Sequence, residues 1–236
     1  MSDDRIKRLR KQKQLNEELL GMAGTEEVGD IRKLLDRGAE VDARDEDQGT
    51  PLMRAAEGDN KKVARLLLER GADIHARDEE GKTALMHCCY GGNRKLTTLL
   101  LEAGAEIDAR CREGQTALMY AAIYGGPDII EILAEAGADL NATSSPSGDY
   151  LHLEKPSTEQ VQSALNSGRK VLIGEPDVGG MTALMLAADH DEDRTVEALI
   201  KAGADVSRKN AAGETALSLA TGEITRELLK QAGAWK

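Results

Sequence analysis

The segment TALMYAA at residues 116–122 decides the reading of this chain, because it recurs. TPLMRAA begins at Thr50, TALMHCC at Thr83, TALMLAA at Thr182 and TALSLAT at Thr215, at intervals of 33, 33, 66 and 33 residues. A second marker, Gly-Ala, falls at Gly38, Gly71, Gly104, Gly137, Gly203 and Gly233, spaced by 33, 33, 33, 66 and 30. Two independent markers on one period identify a repeat architecture. Each unit is then a supersecondary element that cannot bury its apolar face alone and stacks on its neighbours.

Each part of the unit has a physical task. Thr ahead of the apolar run suits a helix N-cap, and Pro51 suits the first helical turn. The pairs Ala55-Ala56, Ala121-Ala122 and Ala187-Ala188 are small enough for helices to approach closely. Val63, Leu66 and Leu67, or Ile129, Ile130, Ile132 and Leu133, recur at helical spacing in a second helix. Gly-Ala ends that helix with a residue that accepts positive φ.

The unit D-x-x-G-x-T-A-L-M-x-A-A-x-x-G followed by L-L-x-x-G-A-D-x-x-A resembles the ankyrin repeat over nearly the whole chain. The resemblance implies an all-α solenoid of about seven 33-residue units, each a helix–turn–helix plus a hairpin. A basic N-terminal arm at 1–14 precedes a cap at 15–47. Units follow at 48–80, 81–113, 114–146, 147–179 and 180–212, with a shortened cap at 213–236. Two departures stand out. Met53, Met86, Met119 and Met185 replace the family's usual His, trading a polar clasp for apolar packing. Asp59 and Asp191 stand where Gly92 and Gly125 keep the glycine that follows the first helix; Asp tolerates the left-handed conformation better than most residues.

The interval from Thr116 to Thr182 is two periods, so a degenerate unit is expected at about 147–179. It holds three of the five prolines (Pro146, Pro156, Pro176). Ser157-Thr158-Glu159-Gln160 fits a capping box ahead of Val161 and Leu165. Val171-Leu172-Ile173 is a short apolar run.

Composition narrows the function. The 236 residues include four Tyr, one Trp and no Phe, so aliphatic side chains must fill the core. No apolar run approaches the ~18 residues of a membrane span, and MSDDRIKRLRKQKQ has no apolar signal region. Three clustered cysteines (Cys88, Cys89, Cys111) fit a reduced, cytoplasmic compartment. The net charge of −11 argues against broad nucleic-acid binding. That charge is uneven: residues 1–16 carry +4 and the remainder −15.

Catalytic signals are weak. Gly81-Lys82-Thr83 resembles the end of a phosphate-binding loop, but its first glycine would be Ala76 and no strand precedes it. Ser167 and Lys170 have a nucleophile's spacing without companion motifs, and no G-x-S-x-G or H-E-x-x-H is present. His75, His87 and the cysteines lack chelating spacing. Cys88-Cys89 fills the Ala-Ala slot, and Cys111 is expected at an exposed hairpin tip. No cofactor or metal is implied.

In stacks of this family the hairpin tips and first helices line a concave surface that binds protein partners. The period turns that surface into ladders: Arg54, His87, Tyr120, Leu186; then Glu57, Tyr90, Ile123, Asp189; then Gly58, Gly91, Tyr124, His190. Tips add Glu79, Lys82, Arg112 and Met181. Tyr120, Ile123 and Tyr124 fall at i, i+3 and i+4, one face of a helix, with Tyr90 one unit below. The expectation is a monomeric, non-catalytic adaptor, scaffold or inhibitor holding a protein with a basic rim on Tyr90, Arg112, Tyr120, Ile123, Tyr124, Glu79, Lys82, Met181 and His190. Two alternatives are an immunity- or effector-type inhibitor acting through the degenerate-unit loop, and a membrane or nucleic-acid accessory using the basic arm.

Overall fold

A computed structural model describes residues 3–25, 27–145, 150–153, 170–173 and 179–234. Six helix pairs follow one another among these residues. They are α1 (Asp3–Ala23) with α2 (Val28–Asp36), α3 (Pro51–Glu57) with α4 (Lys61–Glu69), and α5 (Ala84–Tyr90) with α6 (Arg94–Glu102). Next come α7 (Ala117–Tyr120), continued by a π-helical turn at Ala121–Gly125, with α8 (Pro127–Glu135). The last pairs are α9 (Ala183–Asp189) with α10 (Asp193–Ala202), and α11 (Ala216–Leu219) with α12 (Glu223–Gln231). Each first helix packs on the next first helix and each second helix on the next second, giving an all-α solenoid. No described helix is long and apolar enough to cross a membrane.

The period runs through the core. Leu67, Leu100, Leu133 and Leu199 are each fully buried at one rung of the second helices. Met53, Met86, Met119 and Met185 are each 1 % exposed, so the methionines do replace a polar clasp with packing. Cys88 and Cys89 occupy the small-residue slot with no exposure, as Ala55 and Ala56 do in the unit before. Truncating one such leucine to alanine typically costs ~2–5 kcal/mol, through lost transfer energy and a residual cavity.

The threonine caps are realised unequally. Thr50, Thr182 and Thr215 accept from Met53, Met185 and Ser218 backbone N–H at 3.2–3.3 Å. Among the described residues, the Thr83 and Thr116 hydroxyls are buried without a hydrogen-bond partner. Asp59 and Asp191 take φ of 51° and 53°, beside 69° at Gly92, so aspartate sustains the turn. In the fourth pair positive φ moves from Gly125 to Gly126 (72°), directly after the π-helical turn.

Polar bonds repeat with the same period. Each tip donates its backbone N–H to the preceding tip: Glu79 to Asp47, Arg112 to Glu80, Ser145 to Glu113 and Ala211 to Gly179, at 2.8–3.2 Å. Arg44, Arg77 and Arg110 each donate to a carbonyl 33 residues on, at Arg77, Arg110 and Thr143.

The expected degenerate unit at 147–179 is not a layer of the stack. Helix α8 packs directly on α10, and the π-helical turn directly on α9. Elsewhere a tip residue donates to the carbonyl four residues on, as Asp78 does to Lys82 and Cys111 to Gln115. Ser144 instead donates to Met181, Gly180 donates back to Ser144, and the Ser144 hydroxyl accepts from Met181 N–H at 3.1 Å. The hairpin closes between Ser145 and Gly179 as though the intervening residues were absent. They form an insertion in a tip whose 33-residue length equals the period. Within it β1 (Tyr150–Leu153) pairs in parallel with β2 (Lys170–Ile173), so the apolar run at 171–173 is a strand. The helix expected after Ser157 lies outside the described residues.

The N-terminal arm also needs correction. The boundary at 14/15 falls inside α1, one continuous helix. Its second half docks through buried Leu15, Leu19 and Ala23. Gln12 donates to the Gly38 carbonyl at 2.8 Å, and the Asn16 amide oxygen accepts the Glu40 N–H at 2.9 Å. The first turns carry the basic residues and stay exposed.

Because the hairpin closes across the insertion, joining Ser145 to Gly179 restores the tip length of the other units. The chain lacking 146–178 is expected to keep its helical circular dichroism. Its Tm should shift by no more than about 4 °C, the size of a ~1 kcal/mol change in a chain this long. A molten or aggregated product would show that the insertion is part of the core.

Candidate functional site

The ladder Arg54, His87, Tyr120 faces the tips, and each member reaches the tip residue nine positions earlier. The Arg54 guanidinium donates to Asp45 Oδ2 at 2.6 and 3.0 Å. His87 Nε2 lies 2.8 Å from Asp78 Oδ2. The Tyr120 hydroxyl donates to Cys111 Sγ at 3.7 Å. Asp45 and Asp78 are held for this: their Oδ1 atoms accept backbone N–H bonds from the hairpin, from Asp47 and Gly49 in one case and from Glu80 and Lys82 in the other.

Glu57 joins two units. It accepts from Arg54 at 2.9 Å and sits 3.0 Å from His87 Nδ1. The result is a chain of alternating charge, Asp45–Arg54–Glu57–His87–Asp78. Burial opposes a charge on His87, but hydrogen bonds to Asp78 and Glu57 outweigh it and raise its pKa above the ordinary value. His87 in turn holds Glu57 down to about 2, with help from Arg54 and against burial. For Asp78, burial pushes upward, but the bonds from His87 and the tip N–H groups bring it below the usual carboxylate range. Beside this chain lies a cleft of about 390 Å³ whose acidic lining includes Asp47, Glu57, Asp78, Glu79 and Glu80.

Two expectations fail one unit further on. Tyr120 is not a surface anchor: it is 7 % exposed, and burial pushes its phenol pKa up. Cys111, expected at an exposed tip, is 8 % exposed because Tyr120 covers it. Lys82, half-buried and ion-paired to Glu80, places its ammonium 5.4 Å from the Tyr120 ring centroid.

Tyr90 and Tyr124 do reach the surface. They are 58 % and 54 % exposed, and their rings meet at a centroid distance of 4.6 Å, tilted by 48°. Ile123 is half-buried beside them. Because the insertion adds no layer, exposed His190, at the C-terminal end of α9, belongs to the unit directly after Tyr124. Arg112 and Glu79 are exposed on successive tips, whereas Met181 is half-buried in the hairpin and accepts from Asn210 at 3.4 Å. The structure thus brings Tyr90, Tyr124 and Ile123 together, assigns Tyr120 and Met181 to packing, and leaves Glu79 and Arg112 along the tips. Sequence reasoning missed the charge chain, although the nine-residue spacing of Asp45 to Arg54 and Asp78 to His87 marks it.

Cys88 and Cys89 are not poised for reaction. Burial pushes the Cys88 thiol up to about 12 and raises Cys89 as well. Among the described residues, no three His, Cys, Asp or Glu side chains are arranged to hold a metal.

The charge chain makes stability depend on pH in a defined direction. A raised His87 pKa contributes fully below its ordinary value of 6.5 and is lost as pH rises through the folded value. The lowered Glu57 pKa contributes above 4.5 and is lost as pH falls towards about 2. The Tm advantage of wild type over His87→Gln is therefore expected to peak between pH 4.5 and 6.5 and to shrink on either side. Thermal melts across pH check this, and a constant difference would contradict a charged His87.

Family models match along the same frame. The model for ankyrin repeats in three copies matches residues 73–144, that for many copies matches 34–88, and that for a single ankyrin repeat matches 179–211. No curated protein matches the chain significantly. The matches stop at 144 and resume at 179, on the two sides of the hairpin that closes across the insertion. Together they cover more than half of the chain, on the period that stacks its helices. This protein belongs to the ankyrin-repeat family, whose repeats are generally protein–protein interaction modules.

Proposed function

We propose that this protein is a non-catalytic, monomeric cytoplasmic binding module that holds a protein partner on the face made by its first helices and hairpin tips. The observation that carries this reading is the Tyr90–Tyr124 pair. The chain has four Tyr, one Trp and no Phe, yet two of its rings meet at the surface, each more than half exposed. Core packing does not require this, because aliphatic side chains fill the core without them. Tyrosine is among the residue types that dominate binding hot spots, where a rigid ring is desolvated by the partner. The acidic cleft on the same row of first helices favours a partner with a basic rim, whose approach the opposite charge would speed.

Adaptor, scaffold and inhibitor all use such a face. The inhibitor reading draws on the insertion, which leaves the stack at a tip beside this surface. An insertion emerging there adds a second contact without disturbing the register of the stack.

The test contrasts two variants. Tyr90→Ala/Tyr124→Ala is expected to keep the wild-type Tm and to weaken partner binding by about 2 kcal/mol or more. Tyr120→Ala is expected to lose ~3 kcal/mol of stability, as other buried rings do on truncation. Calorimetric titration of a captured partner and thermal melts give both readouts. Unchanged affinity in the double variant would remove this surface from the function.

A further inference from the structure

The opposite side of the stack carries a separate charge pattern. A cleft of about 910 Å³ lies among the second helices α2, α4 and α6, lined by Arg32, Lys61, Lys62, Arg65 and Lys95 over Val28 and Leu66. Three carboxylates also line it, Glu27, Asp30 and Glu69, and Asp30 is already neutralised by Lys33 at 2.7 Å. None of the five cations makes an ion pair among the described residues, while neighbours outside the cleft do: Arg70 with Asp36 and Arg94 with Asp128, both at 2.9 Å or less. In a chain of net charge −11, an unpaired basic cluster is a local reversal of sign.

The cluster also works against the helices that carry it. Lys61 and Lys62 open α4, Arg94 and Lys95 open α6, and neither first turn has an acidic residue. A helix N-terminus favours negative charge, so cations there are repelled by the macrodipole and by one another. Helices α8, α10 and α12 follow the ordinary rule, with Asp128, Asp193 and Glu223 in their first turns. The charges of Lys61, Lys62 and Lys95 thus do not favour the helices that carry them, whereas an anionic ligand gains from the side chains and the helix ends together. The chemistry of the lining separates ligand classes. Val28 and the aliphatic stems of the lysines and arginines offer apolar surface beneath a basic rim, which matches carboxylates alternating with apolar side chains. The lining has no aromatic ring on which a base could stack.

We propose that this cleft is a second binding site, which takes an acidic peptide segment carrying apolar side chains between its carboxylates. It is independent of the tyrosine surface, so a chain could engage a basic-rimmed partner on its first helices and an acidic segment on its second helices.

The test uses the full chain, a fluorescein-labelled peptide of alternating Glu and Leu, and Lys61→Gln/Lys62→Gln/Arg65→Gln. The triple variant is expected to melt no lower than wild type, because it relieves repulsion, and to bind the peptide at least about tenfold more weakly at low salt. A control with the same charge change outside the cleft, Lys201→Gln/Lys209→Gln/Lys230→Gln, is expected to bind as wild type does. Equal loss in both variants, or no peptide binding by wild type, would overturn the site. So would salt-sensitive self-association abolished by the triple variant, which would assign the cleft to a second copy of this chain. Binding of single-stranded RNA or phosphatidylserine vesicles, but not peptide, would overturn the choice of ligand.

Discussion

Everything in this molecule depends on one constraint: a helix pair with one apolar side and small residues at its contacts is buried only if the next pair arrives at the same height. That condition fixes a 33-residue register and leaves little freedom inside it. The fully buried leucines at 67, 100, 133 and 199 share a rung, and so do the methionines at 53, 86, 119 and 185. Backbone bonds between tips and arginine bonds to carbonyls a period away repeat that register in polar form. The core contacts recur from unit to unit, so substitution at one rung acts on two interfaces.

The same constraint decides where the chain can accept extra residues. An addition within a helix would rotate every later rung, and one between the two helices of a pair would separate them. A hairpin tip is different, because its two arms are held by their own short bonds. Ser144 and Met181 make those bonds at a sequence separation far beyond the usual four, and the register beyond them is undisturbed. Loop closure costs grow slowly with length, so a tip tolerates a long insertion that the core could not.

This is also where the sequence misled. Period, helix pairs, small-residue slots and the aspartates at positive φ were legible, because each follows from a residue type at a fixed phase. The insertion was not, since its length equals the period and spacing alone cannot tell a missing unit from an added loop. The direct packing of α8 on α10 and the closure of the hairpin between Ser144 and Met181 separate the two. Tyr120 was misjudged for a related reason. The helical spacing of 120, 123 and 124 places three side chains on one face, but that face runs under the tip as well as beyond it. Cys111, smaller and less polar than the aspartates at 45 and 78, lets the ring lie down against it. Which side of the tip a residue falls on is set by its partner nine positions earlier, not by helical phase.

The rung shared by Arg54, His87 and Tyr120 is filled in two chemically different ways. At the first two units the tip aspartate is satisfied by a cation, and the surface there stays polar and acidic. At the third, Cys111 stands at the aspartate's place and Tyr120 at the cation's, and the two are buried against each other with the Lys82 ammonium 5.4 Å from the ring. One turn further along the first helices, Tyr90 follows His87 and Tyr124 follows Tyr120, and the two exposed rings meet. One periodic position thus carries an ion pair in two units and buried packing in the third, while the exposed rings lie one turn beyond it.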